Sequence, residues 1–162
     1  MQDGVYVAKG ICFGEGECFR NWRASRPVAV HAAVNPASAV IATVQPDEWV
    51  EAIDGELRFV PRRGVVRAAT KTPPMAAGDV VYMLEPLGEG DYVLWHKGKT
   101  LAHGTDGSAE DPINWDEPRP APPGTVTGWW VKLKLADGRT GWVQDPSFEC
   151  MGPLQGSSGC RD

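Results

Sequence analysis

The chain has 162 residues, 23% of them charged, and carries a net charge of -5. That balance suits a globular protein of one ordinary or two small domains. It argues against a polyanionic partner, which needs a basic stripe; the longest Lys/Arg run is Arg62-Arg63, and no apolar run approaches the ~18 residues of a membrane span.

Nineteen Gly and fourteen Pro imply short elements joined by many turns, the signature of an all-β chain. Val5 to Val7 reads as a short strand, followed by a Gly/Glu loop. Val28 to Ala32 alternates as a strand, Asn35 to Ser38 turns, and Val40 to Val44 is a second strand. Pro46-Asp47-Glu48 then turns into Trp49 to Ile53. Helical periodicity never persists for the ~11 residues a helix assignment requires.

The segment 44–54, VQPDEWVEAID, aligns with 75–85, MAAGDVVYMLE, 31 positions later. In each, an acidic turn precedes a strand that closes on a carboxylate. Two-strand signals follow both: Leu57 to Ala68 after the first, Tyr92 to His103 after the second. Lys97-Gly98 forms a predicted two-residue hairpin turn. This weak repeat predicts two related β-units: residues 1–24 as an extension, 25–73 and 74–150 as the units, and 151–162 as a tail. Residues 104–124 carry five acidic side chains and five prolines. Proline denies ladder hydrogen bonds, so this stretch reads as one long loop. Its carboxylates lack calcium-loop spacing, and a solvated face is the expectation. Arg119 to Pro123 contains a P-x-x-P unit, suited to an extended left-handed helix and to lying across an aromatic groove as a built-in ligand.

The last patterned stretch is GWWVKLKLADGRTGWV, Gly128 to Val143. Trp129, Val131, Leu133 and Leu135 share one strand face; Trp130, Lys132 and Lys134 share the other. Asp137-Gly138 turns the chain into Gly141-Trp142-Val143, with Pro146-Ser147-Phe148 beyond. This order resembles the C-terminal half of a Src-homology-3-like (SH3-like) β-barrel of the bacterial type. Residues 27–53 are similar to the N-terminal half of the same family. The stretch 57–127 exceeds a single such barrel, so it is either a second SH3-like unit or a large insertion.

The resemblance implies a non-catalytic binding module of the cell envelope, recognising a peptide, a cell-wall fragment or a protein partner. Carried over by position, its aromatic groove falls on Trp129, Trp142 and Phe148. Tyr82, Tyr92 and Trp95 on the preceding strands extend the candidate surface. A self-associating module, such as a homodimer with the aromatic patch as its interface, and a wall hydrolase without a recognisable motif are the alternatives. His31, His96 and His103 are the only histidines, no nucleophile motif accompanies them, and no cofactor or metal is expected.

Cys12, Cys18, Cys150 and Cys160 form two local pairs near the ends. Four cysteines allow three pairings; 12–18 with 150–160 is the expected one, tying down ends that otherwise fray. Free thiols are the alternative, and a zinc site fits neither spacing. Disulfides imply a periplasmic or secreted location, with the signal peptide already removed.

Overall fold

A computed structural model describes residues 4–11, 21–88, 91–103, 111–144 and 148–149. The four cysteines lie outside them. The fold is all-β, with antiparallel sheets and no helix among the described residues, and therefore no helix long and apolar enough to cross a membrane. Among the described residues none of the sheets closes on itself, so the expected barrels are not seen there.

Fifteen strands occur among the described residues: β1 Tyr6–Lys9, β2 Asn21–Ala24, β3 Val28–His31, β4 Val40–Val44, β5 Trp49–Phe59, β6 Arg62–Val66, β7 Thr70–Lys71, β8 Pro74–Met75, β9 Val80–Gly88, β10 Asp91–His96, β11 Lys99–His103, β12 Ile113–Trp115, β13 Gly128–Lys134, β14 Thr140–Gln144 and β15 Phe148–Glu149. They group into two compact units, and the grouping is not the sequential one. One unit joins Val7–Arg58 to Val126–Asp162; the other comprises Met1–Tyr6 and Phe59–Thr125. The two segments that carry the family resemblance thus share one sheet, the host unit. Residues 59–125 form an insertion between its β5 and β13, the inserted unit.

The host sheet runs β15-β2-β5-β13-β14-β3-β4, with β1 also on β5. The inserted sheet runs β12-β6-β9-β10-β11, beside a small β7-β8 ribbon. Five strands therefore follow one plan twice: β2, β5, β13, β14, β15 in the host and β6, β9, β10, β11, β12 in the insertion. Each unit also places a hairpin between its first two strands, β3-β4 in one and β7-β8 in the other.

Local chemistry repeats too. In the aligned turns the carboxylate of Glu48 accepts from the Gln45 amide at 2.8 Å, and that of Asp79 from the Ala76 amide at 2.9 Å. The preceding residue, Asp47 or Gly78, sits at positive φ, 65° and 88°, a conformation that glycine and acidic residues tolerate best. Its amide crosses to the carbonyl of Ala24 or Val66, 2.8 Å in both units. Further on, the β5-β13 register skips Ile53 between Lys132 and Leu133, and the β9-β10 register skips Leu84 between Val93 and Leu94. The same bulge occupies the same place.

Each unit has its own core. Trp22, Val30, Val131, Leu133 and Val143 are fully buried in the host, with Trp129 packed partly against them. Val66, Val81, Tyr92, Leu94 and Ile113 fill the insertion. Truncating Leu133 or Leu94 to alanine costs about 2–5 kcal/mol by lost transfer and cavity terms.

Two expectations are corrected. Residues 21–24, expected in an N-terminal extension, form β2 inside the host sheet, because Trp22 needs a core face. The stretch 104–124 is not one loop throughout. Ile113-Asn114-Trp115 pairs with Val66-Val65-Gly64, since its prolines flank these residues and Ile113 and Trp115 crowd the open space over Gly64.

Candidate functional site

Strand alternation decides which predicted aromatics can meet. Trp129 lies on the face of Val131 and Leu133, packs against Trp22 with ring centroids 6.0 Å apart and planes tilted by 57°, and joins the host core. Trp142 is directly opposite Lys132, and directly opposed residues share a face. It is therefore on the other side of the sheet from Trp129, with the Lys132 ammonium 5.8 Å above its ring. Trp130, on that same far side, is fully buried and edge-on to His31 at 6.0 Å. Phe148 begins β15, opposite Ala24. The groove transferred from the resemblance is thus not assembled: Trp129 and Trp142 point to opposite faces.

The inserted unit divides its aromatics differently. In β10, Tyr92, Leu94 and His96 are buried, while Trp95 is the one aromatic among the described residues in the exposed class, at 40%. Trp95 stands opposite Tyr82, with ring centroids 5.8 Å apart and planes tilted by 60°. Tyr82, Trp95, the bulge residue Leu84 and Tyr6 line a pocket of about 210 Å³. Tyr6 is held edge-on by Phe59 at 5.7 Å. Among the described residues no charged side chain lines this pocket. Tyr82 and Trp95 were legible in the sequence; Tyr6 and Leu84 were not, because no spacing along the chain joins residue 6 to residue 95.

The repeat gives this pocket an internal control. The shared turn and bulge superimpose Tyr82 on Glu51 and Trp95 on Lys134. In the host unit those two positions hold an exposed ion pair, Lys134 Nζ to Glu51 Oε2 at 2.9 Å, beside a hollow of about 280 Å³ that Asn21, Trp49 and Leu135 also line. A half-exposed ion pair there contributes ~0–1 kcal/mol. The sheet therefore does not need aromatic rings at these two positions.

Tyr92, the third predicted aromatic of this region, faces the core and is removed from the candidate surface. Its hydroxyl donates to Asp111 at 2.9 Å, as does the Trp115 indole N–H at 2.7 Å and the Ile113 amide at 2.9 Å. Burial, then the bond to Asp111, pushes the Tyr92 phenol well above its ordinary value. Opposite Tyr92 lies His103, 4% exposed, its Nε2 3.9 Å from the Asp111 carboxylate. The corresponding host pair is Val131 and Val143. His96 is similarly absorbed: its Nε2 lies 2.8 Å from Asp79, which also meets Lys97 at 2.6 Å. Lys97 first, and the Ala76 amide next, hold the Asp79 carboxyl far below its usual range. These polar groups lock the insertion's turns and its β12.

The P-x-x-P segment is exposed at Pro120, Pro122 and Pro123. Pro122 lies beside Gly4. Among the described residues no group of three or more Asp, Glu, His or Cys is arranged to hold a metal ion. No protein-family model, curated protein or solved structure matches the chain.

Proposed function

We propose that this protein is a binding module built from two related SH3-like units, with the ligand site on the inserted unit at Tyr6, Tyr82 and Trp95. The observation that carries the reading is the substitution of an aromatic pair for an ion pair at one position of a duplicated sheet. An exposed cross-strand aromatic pair and an exposed ion pair each contribute at most about 1 kcal/mol to a sheet, so the fold alone gives no reason to carry an exposed tryptophan here. Exposed aromatics beside a pocket are the usual anchors of recognition. The repeated strand order supports two related units, and the alternating strands of residues 28–53 and 128–143 support the family reading. A location in the cell envelope, with the cysteines paired, accompanies it.

Selection of peptides from a random phage-displayed library on the immobilised full chain tests this reading, with Trp95→Ala and Trp142→Ala as counter-targets. Enriched clones should be lost on W95A and retained on W142A. Retention on W95A with loss on W142A would move the site to the host unit. No enrichment, with retention on insoluble peptidoglycan, would replace a peptide by wall glycan.

A further inference from the structure

The aromatic pocket is apolar, but the sheet face it belongs to is not. Trp95 is opposite Tyr82, and Tyr82 is opposite Arg63 on β6. The three side chains therefore form one row across β10, β9 and β6. Arg63 Nη1 reaches Asp116 at 3.2 and 3.3 Å, and Arg119 approaches the same carboxylate at 3.7 Å. Two guanidinium groups thus share one carboxylate, and all three side chains are accessible: Arg63 is 31%, Arg119 61% and Asp116 38% exposed. The Nε and Nη2 of Arg63 have no partner among the described residues. A guanidinium offers five donors in a fork that fits a carboxylate. A surplus of arginine beside an aromatic pocket, on a chain of net charge -5, is a local reversal of sign.

We propose that the ligand is an extended acidic peptide that crosses the strands of this face. An apolar side chain enters the pocket of Tyr6, Tyr82 and Trp95, and a carboxylate further along meets Arg63 and Arg119. The proposal rests on the reading of that pocket as the binding site. Neighbouring side chains across a sheet are ~5 Å apart, so Trp95 to Arg63 spans ~10 Å. A chain extended in the polyproline II form advances ~3.1 Å per residue and returns a side chain to the same face at every third residue. The apolar and acidic residues of the ligand are then about three positions apart. The pocket itself argues against a saccharide, because among the described residues no carboxylate or amide side chain lines it to receive sugar hydroxyls.

The test continues from the display selection. The selected dodecapeptides should be enriched in Asp or Glu about three positions from an apolar residue. The strongest of them, fluorescein-labelled, is then measured by anisotropy against the full chain beside its Glu→Gln form. The Gln form should bind about tenfold more weakly to wild type, and Arg63→Gln should bind both forms alike. Arg119→Gln, outside the sheet, should reduce the preference in the same direction and guards against misfolding of the Arg63 variant. Neutral or basic selected peptides, or an undiminished preference in both Arg variants, would overturn the acidic ligand while dependence on Trp95 leaves the site standing. Loss of Trp95 dependence would overturn both. Displacement of the peptide by an N-acetylglucosamine oligomer would overturn the peptide as occupant.

Discussion

The host unit and the inserted unit run the same five strands through the same turn and the same bulge, yet use their side chains differently. Where the host buries Val131 against Val143, the insertion buries Tyr92 against His103 and ties the Tyr92 hydroxyl to Asp111. Where the host exposes Glu51 and Lys134, the insertion sets the half-buried Tyr82 beside the exposed Trp95. The first difference concerns how a core is closed; the second concerns what a surface is for. The backbone hydrogen bonds that the two units share set the requirements of the fold. Exposed positions at which they differ are free to serve something else.

Removing the polar closure should have the largest effect. Asp111→Ala leaves the Tyr92 hydroxyl and the Trp115 indole without their acceptor, and each orphaned buried donor costs about 1–3 kcal/mol. Urea unfolding should show a loss of about 2–4 kcal/mol. The same closure predicts a pH response. The phenol's folded value is raised, so its contribution is complete below the ordinary tyrosine value of ~10 and is lost as pH rises beyond it. Ultraviolet titration should leave one tyrosine protonated after the others have ionised.

Exchanging the surface pair comes next. Tyr82→Glu with Trp95→Lys installs the host's ion pair on the insertion. Binding of the selected peptide should weaken at least ~10-fold, equivalent to ~1.4 kcal/mol, while unfolding changes by less than ~1 kcal/mol. A large loss of stability would mean that the rings are part of the fold after all.

The shared turn gives a smaller, pH-dependent effect. The depressed carboxyl of Asp79 contributes stability above its unfolded value of ~3.9, and that contribution fades as pH falls below it. Asp79→Asn should therefore lower the thermal midpoint at neutral pH, and the gap to wild type should narrow on acidification. A gap that stays constant down to pH ~2 would contradict the role of this carboxylate in the turn. Lys134→Ala is the smallest perturbation. It should shift unfolding by less than ~0.5 kcal/mol and leave peptide binding unchanged.

Much of this fold was legible in the sequence. Period-two alternation located β3, β4, β5, β13 and β14, and the 31-residue echo between the two acidic turns corresponds to matching hydrogen bonds. The pairing of β5 with β13 across an insertion was not legible, because a strand's partner is chosen by sheet edges rather than by sequence distance. The short strand β12 was hidden by neighbouring prolines. Of the candidate surface, Tyr82 and Trp95 were named from strand position and not from the resemblance. Tyr92 was grouped with Trp95 on one candidate surface, but the buried positions of β10 are the even-numbered ones, so the two point to opposite faces. Trp129 and Trp142 were joined by analogy, although the register separates them to opposite faces.

Whether recognition belongs to the inserted unit can be read from the seven indole N–H signals. The ¹⁵N-labelled full chain is titrated with the selected peptide and followed by two-dimensional NMR, after assignment by single Trp→Phe variants. The Trp95 indole signal should move in proportion to saturation while those of Trp142 and buried Trp22 stay in place. Movement of Trp142 with Trp95 unmoved would place recognition on the host unit and contradict a binding site on the inserted one.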